Sequence, residues 1–150
     1  LLHETPYSRH HVEALASVTY RPADMGAAIS SGSFQTDGMI LGPCSAKTLA
    51  AIANAFGEDL VQRAAHVVLK EGRKLVLLVR EAPLSDIHLE NMLRLSRMGA
   101  VILPPVPAFY NLPRTIDDIV DHTVSRVLDQ FGIPVSGVAR WSGEMGVGQD

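Results

Sequence analysis

The chain has a single cysteine, Cys44, in 150 residues. A lone thiol forms no intrachain disulfide and no cysteine-based metal site, and it suits a reducing compartment, so a cytoplasmic location is expected. Basic charge is not in excess. Thirteen Lys and Arg stand against 16 Asp and Glu, for a formal net charge of -3, so no nucleic-acid surface is expected. No apolar run approaches the roughly 20 residues of a membrane-spanning helix. There is no GxGxxG, no P-loop lysine motif and no Ser-His-Asp order. The six histidines do not fall at metal-ligand spacings: His10 and His11 are adjacent, and His66, His88 and His122 lie on separate predicted helices. No metal is expected.

What is present describes a folded core: 47% hydrophobic and 19% charged residues. No repeat, low-complexity run or linker divides residues 1–150, so one domain is expected. The chain opens Leu1-Leu2-His3 without an initiator Met and reads as the middle of a domain. Further residues are expected upstream.

Periodicity predicts helices over 8–16, 45–56, 60–70, 85–98 and 115–131, with a helical turn near 23–29. Strands are predicted at 18–20, 39–41, 75–79 and 100–103. The run Leu75-Val76-Leu77-Leu78-Val79 has no polar alternation, as in a parallel strand buried on both faces. On the last helix, Ile119, Val120, Val124, Val127 and Leu128 are the expected buried stripe. Strands alternate with helices, which predicts an α/β, Rossmann-like (flavodoxin-like) three-layer sandwich with a parallel sheet. Such folds bind ligands beyond the carboxyl ends of their strands.

Residues of chemical interest are expected on that rim. After Gly38-Met39-Ile40-Leu41-Gly42-Pro43-Cys44, Ser45 caps a helix with Lys47 and Thr48 in its first turn. Unpaired helix-terminal N–H groups, two hydroxyls and an ammonium then face one ligand, or else cap an ordinary helix. Cys44 is either a helix-activated thiol or a small buried residue. Arg80 and Glu81 follow the second strand. They are either a phosphate fork with a proton-relaying carboxylate or a surface ion pair. Tyr110 lies in a proline-stiffened loop, and Arg126 lies between apolar residues of the last helix. Arg63, Lys70, Arg73 and Lys74 surround the second strand.

Three linked stretches resemble the flavin prenyltransferase family. They are Pro43-Cys44-Ser45-Ala46-Lys47-Thr48, Leu78-Val79-Arg80-Glu81-Ala82-Pro83-Leu84-Ser85 with His88-Leu89-Glu90-Asn91-Met92, and the run 99–110 with Arg126-Val127-Leu128-Asp129-Gln130-Phe131. Members were formerly labelled carboxy-lyases or phenylacrylate decarboxylase subunits. The resemblance implies a flavoprotein that joins a dimethylallyl group from dimethylallyl phosphate to N5 and C6 of reduced FMN without a metal. It implies FMN binding by Ser45, Ala46, Lys47, Thr48 and Arg80. It also implies donor-phosphate binding by Lys70, Tyr110 and Arg126, and catalysis by Glu81, Lys70 and Arg80. Arg63 and Trp141 match positions near the site.

The resemblance further implies a homo-dodecamer with sites shared between subunits, and a downstream prenyl-FMN-dependent decarboxylase as recipient. The family's first strand and Gly-Ala-Ser-Gly-Ala loop have no counterpart in these residues, and Met25 stands where relatives often carry an aromatic. Two other readings stay open. One is an FMN-dependent aromatic-acid decarboxylase, and the other is a non-catalytic flavin-carrying subunit.

Overall fold

The computed structural model describes residues 5–138 and Arg140. Each of its five α-helices begins the same way. An oxygen-bearing side chain accepts a hydrogen bond from the backbone amide three residues on, satisfying one of the donors a helix start leaves unpaired. Ser8 does this for α1 (Arg9–Glu13) and Ser45 for α2 (Ala46–Ala53). Asp59 serves α3 (Leu60–Lys70), Ser85 α4 (Asp86–Arg97) and Thr115 α5 (Ile116–Asp129).

Three parallel strands, β1 (Gly38–Cys44), β2 (Lys74–Val79) and β3 (Val101–Ile102), form a sheet in the order β1-β2-β3. Gly38 pairs with Lys74 and Leu41 with Leu77; the register then shifts before Cys44 meets Val79. Val76 and Leu77 pair with Val101 and Ile102. Side chains alternate across the strands. Leu41, Leu75, Leu77 and Val79 therefore share one face, where they pack with Leu49 and Ile52 of α2, Ala65 and Val68 of α3, and Met92 and Leu95 of α4. Burying each of the Val, Leu, Ile and Met side chains among them contributes roughly 1.5–3 kcal/mol. On the other face Val76 is fully buried while Ile40 is 43% exposed. The predicted burial of the second strand on both faces is met at Val76.

Close strand approach explains Gly38. Its φ is +149°, and a Cβ there would lie 2.3 Å from the Lys74 carbonyl oxygen and 2.8 Å from the Phe131 ring. The Phe131 ring also carries the Lys74 ammonium 5.8 Å from its centroid. Lys74 Nζ donates to the Gln130 carbonyl, so the carboxyl end of α5 is tied to the start of β2.

Several expectations are corrected. Residues 18–20 form no strand, since no neighbouring strand pairs with them among the described residues. The first helix, expected over 8–16, is short, and Val12 and Leu15 are exposed. The turn near 23–29 contracts to a 3-10 turn over Ala28–Ser30. In α5, Val127 is buried, but Val120 and Val124 are not. They follow Ile116 at four-residue steps and so form a separate outer stripe. Leu89 and Leu93 of α4 are likewise exposed. The remaining helices and strands stand where predicted, with ends shifted by up to three residues.

Candidate active site

The site is built where β1 and β2 end. Ser45 Oγ accepts from the Thr48 amide at 3.2 Å and lies 3.1 Å from Thr48 Oγ1. The amides of Ala46 and Lys47 belong to the first turn, where a helix offers no internal acceptor. Ser45 and Lys47 are exposed. Cys44 is buried beneath them, and burial pushes its thiol up to about 11. Of the two readings of Cys44, the small buried residue holds and the activated thiol does not.

Arg80 continues the ladder one step past β2: its amide donates to the Cys44 carbonyl at 3.2 Å. This sets Arg80 beside the start of α2. Arg80 and Glu81 line an open cleft of about 310 Å³ with Val79, Ala82, Pro104, Pro105 and Val106. Leu103 donates to the Leu77 carbonyl at 2.9 Å, which brings the Pro104-Pro105 wall alongside β2. Among the described residues the Glu81 carboxylate accepts only the amide of Ala82, at 3.2 Å, and both Arg80 and Glu81 are exposed.

Lys70 is elsewhere. It ends α3, next to the start of β2, and its ammonium is paired with Glu71, whose carboxyl Lys70 holds below the usual range. Six residues of β2 separate that end from Arg80, about 20 Å at strand rise. Around Lys70 the loop 30–34 is fastened by cations. Arg63 donates to the Ser30 carbonyl at 3.0 Å, and Arg73 to those of Gly32 and Phe34 at 2.6 and 2.8 Å. A Cβ on Gly32 would sit 2.1 Å from the Glu71 carboxylate and 2.9 Å from Lys70 Nζ.

Tyr110 lies on a 3-10 turn, Phe109–Asn111, with its ring edge-on to His122 at 6.1 Å between centroids. Asn111 Nδ2 lies 2.8 Å from His122 Nδ1. Arg126 donates to Asp129 at 2.9 Å. Asp129 also receives both ends of the Arg140 guanidinium, at 2.9 and 2.7 Å, and Arg140 holds its carboxyl below the usual aspartate range.

The rim expected to gather 45–48, Arg80 with Glu81, and Tyr110 is therefore corrected at Tyr110. The structure joins 45–48 with Arg80 and Glu81, while Lys70, Tyr110 and Arg126 line no part of the cleft beside Arg80. Trp141 lies outside the described residues, and Met25 is exposed. Sequence reading missed the Asn111–His122 pair, the loop grip of Arg73 and the role of Asp129 as a shared carboxylate. The last had a signal, since an acid three residues after Arg126 shares its helix face.

Two hydroxyls, an ammonium, free helix-terminal amides and a guanidinium are a donor set for a phosphate-bearing cofactor. A family profile described as Flavoprotein matches residues 4–128. The probable UbiX-like flavin prenyltransferase of Escherichia coli O157:H7 is 64% identical over 140 residues, which cover 93% of this chain and 71% of that protein. The crystal structure of a dodecameric FMN-dependent UbiX-like decarboxylase from the same organism superposes with a TM-score of 0.93 at 63% identity, covering 95% of this chain and 77% of that one. AnUbiX (PadA1), solved in complex with FMN and dimethylallyl pyrophosphate, gives a TM-score of 0.94 at 52% identity over 96% of this chain and 77% of that one. The chain belongs to the flavoprotein family and, within it, to the UbiX-like flavin prenyltransferases, with their flavodoxin-like α/β fold.

Proposed function

We propose that the protein transfers a dimethylallyl group from dimethylallyl phosphate to N5 and C6 of reduced FMN. The observation that carries this reading is the Arg80 amide bonded to the Cys44 carbonyl, one residue before the Ser45 cap of α2, beside a cleft walled by Pro104 and Pro105. Ser45, Ala46, Lys47, Thr48 and Arg80 hold the flavin. Bound FMN supplies the nucleophile, so the chain itself needs no side-chain nucleophile. Its residues bind, orient and move protons.

As the donor phosphate departs, positive charge develops on the prenyl group and negative charge on the phosphate. Lys70, Arg80 and Arg126, with the Tyr110 hydroxyl, stabilise the phosphate side. Glu81 exchanges the proton released or required at the ring. Pro104 and Pro105 have no N–H, and with Val106 they give the cleft an apolar wall without competing backbone donors. Because Lys70 stands about 20 Å from Arg80 along β2, it reaches the site of a neighbouring subunit rather than its own. This agrees with a homo-dodecamer of the kind crystallised for the E. coli relative. The unit that assembles is one flavoprotein domain, working in the cytoplasm and passing its product to a prenyl-FMN-dependent decarboxylase.

The test is anaerobic incubation of the purified protein with reduced FMN and dimethylallyl phosphate, followed by mass spectrometry of the extracted flavin. A flavin heavier by one prenyl unit is expected. Unmodified flavin would sink the reading. CO2 released from an aromatic acid by this protein alone would instead identify a decarboxylase.

A further inference from the structure

We propose that Asp129 is a positioning residue for the donor phosphate, fixing the Arg126 guanidinium through a carboxylate shared with Arg140. The inference rests on the reading above, in which Arg126 contacts that phosphate.

One carboxylate accepts three charge-assisted bonds. Asp129 Oδ2 takes Arg126 Nη1 and Arg140 Nη1, each at 2.9 Å, and Oδ1 takes Arg140 Nη2 at 2.7 Å. Arg140 Nη2 also reaches Ser125 Oγ at 3.4 Å, and Ser125 is only 2% exposed. The network is thus anchored to a buried point of α5.

The distribution of donors matters. Arg140 gives Asp129 both ends of its fork, and that two-point hold fixes the plane of the carboxylate. Among the described residues Arg126 gives Nη1 alone. A guanidinium has five N–H donors, so the Nε and Nη2 edge of Arg126 is left to meet an anion, and its side chain is 55% exposed. An isolated i,i+3 surface pair would leave both partners rotating and contribute little. Here the carboxylate cannot swing to occupy the remaining edge of Arg126, because Arg140 already holds it. Asp129 therefore orients Arg126 without competing for the face that takes phosphate.

The experiment uses the full-length FMN-loaded protein and the variants Asp129→Asn, Asp129→Glu, Arg126→Ala and Asp129→Asn with Arg126→Ala. KM for dimethylallyl phosphate, kcat, FMN affinity and melting temperature are measured for each. Calorimetric titration with inorganic phosphate reads binding independently of turnover. Asp129→Asn is expected to raise donor KM and weaken phosphate binding by about tenfold, the scale of one misplaced charge-assisted contact. The loss falls on KM rather than kcat, FMN affinity is unchanged, and Asp129→Glu recovers part of it. In the Arg126→Ala background the same change adds less than about twofold, because the pathway through Arg126 is already gone. A lowered melting temperature with unchanged KM would make Asp129 merely structural and overturn the proposal. So would a full additive effect in the double variant. If Arg126→Ala alone leaves phosphate binding intact, the assigned role of Arg126 fails first and the proposal with it. Failure at Asp129 alone leaves that assignment standing.

Discussion

The backbone amide of Arg80 donates to the carbonyl of Cys44 at 3.2 Å. The last sheet bond therefore lies one residue before the cap of α2, and the end of β2 and the start of α2 move as one unit. Removing the cap should be felt on both. Ser45→Ala is expected to cost about 0.5–2 kcal/mol of stability. It should also weaken FMN binding, read by flavin fluorescence titration alongside thermal unfolding. Unchanged FMN affinity in a destabilised variant would mean that Ser45 only caps.

Glu81 accepts one backbone amide and has no cationic partner among the described residues, so its carboxylate is available for proton exchange. Glu81→Gln keeps the shape and removes that capacity. Its kcat is expected to fall by roughly 10²-fold, the lower range of general acid–base contributions, with donor KM little changed. Single-turnover prenylation followed by mass spectrometry is the direct readout.

Gly38 has nowhere to put a side chain. A Cβ would lie 2.3 Å from the backbone oxygen of Lys74, and the neighbouring strand cannot give way without breaking the β1–β2 register. Gly38→Ala should cost more than ~2 kcal/mol, combining overpacking and a strained positive φ. Urea denaturation checks this; a midpoint within error of the parent would refute it.

The depressed carboxylates contribute to the acid limb of the stability curve. Asp118 is lowered first by the Arg114 amide and then by the Thr115 amide, and Asp129 by Arg140. A carboxyl whose folded pKa lies below its unfolded one releases its proton more readily when folded. Its stabilisation is therefore complete above the unfolded aspartate range, near about 3.9, and is lost as pH falls through the folded value. Their contribution should be constant from neutral pH towards about 5 and decline below about 4. Asp118→Asn should shallow that decline. A midpoint that instead falls on raising the pH from 5 to 7 would contradict the assignment.

The parallel α/β order was legible because capping residues and apolar runs mark each element locally: Ser45, Asp59, Ser85 and Thr115 all cap, and 75–79 is the central strand. The stretch at 18–20 was misread because a strand exists only by pairing, and pairing is not local. The double stripe of α5 was merged into one because Val120 and Val127 are equally apolar; only the packed sheet shows which is turned inward. At the site, residues close in sequence to strand ends, Ser45 to Thr48 and Arg80 with Glu81, were placed correctly on one rim. Lys70 was assigned to the donor phosphate through the family resemblance alone, and α3 carries it to the far end of β2. Asp129 was passed over because its significance lies in Arg140, eleven residues away.

That separation of Lys70 from Arg80 also bears on how defects combine. If each catalytic centre draws Lys70 from one chain and Arg80 with Glu81 from another, a chain lacking the lysine and a chain lacking the glutamate spoil different halves. Co-assembled from a mixture, some centres receive the intact half of each, so two inactive populations regain partial turnover together. Centres complete within one chain would leave every subunit dead in either company.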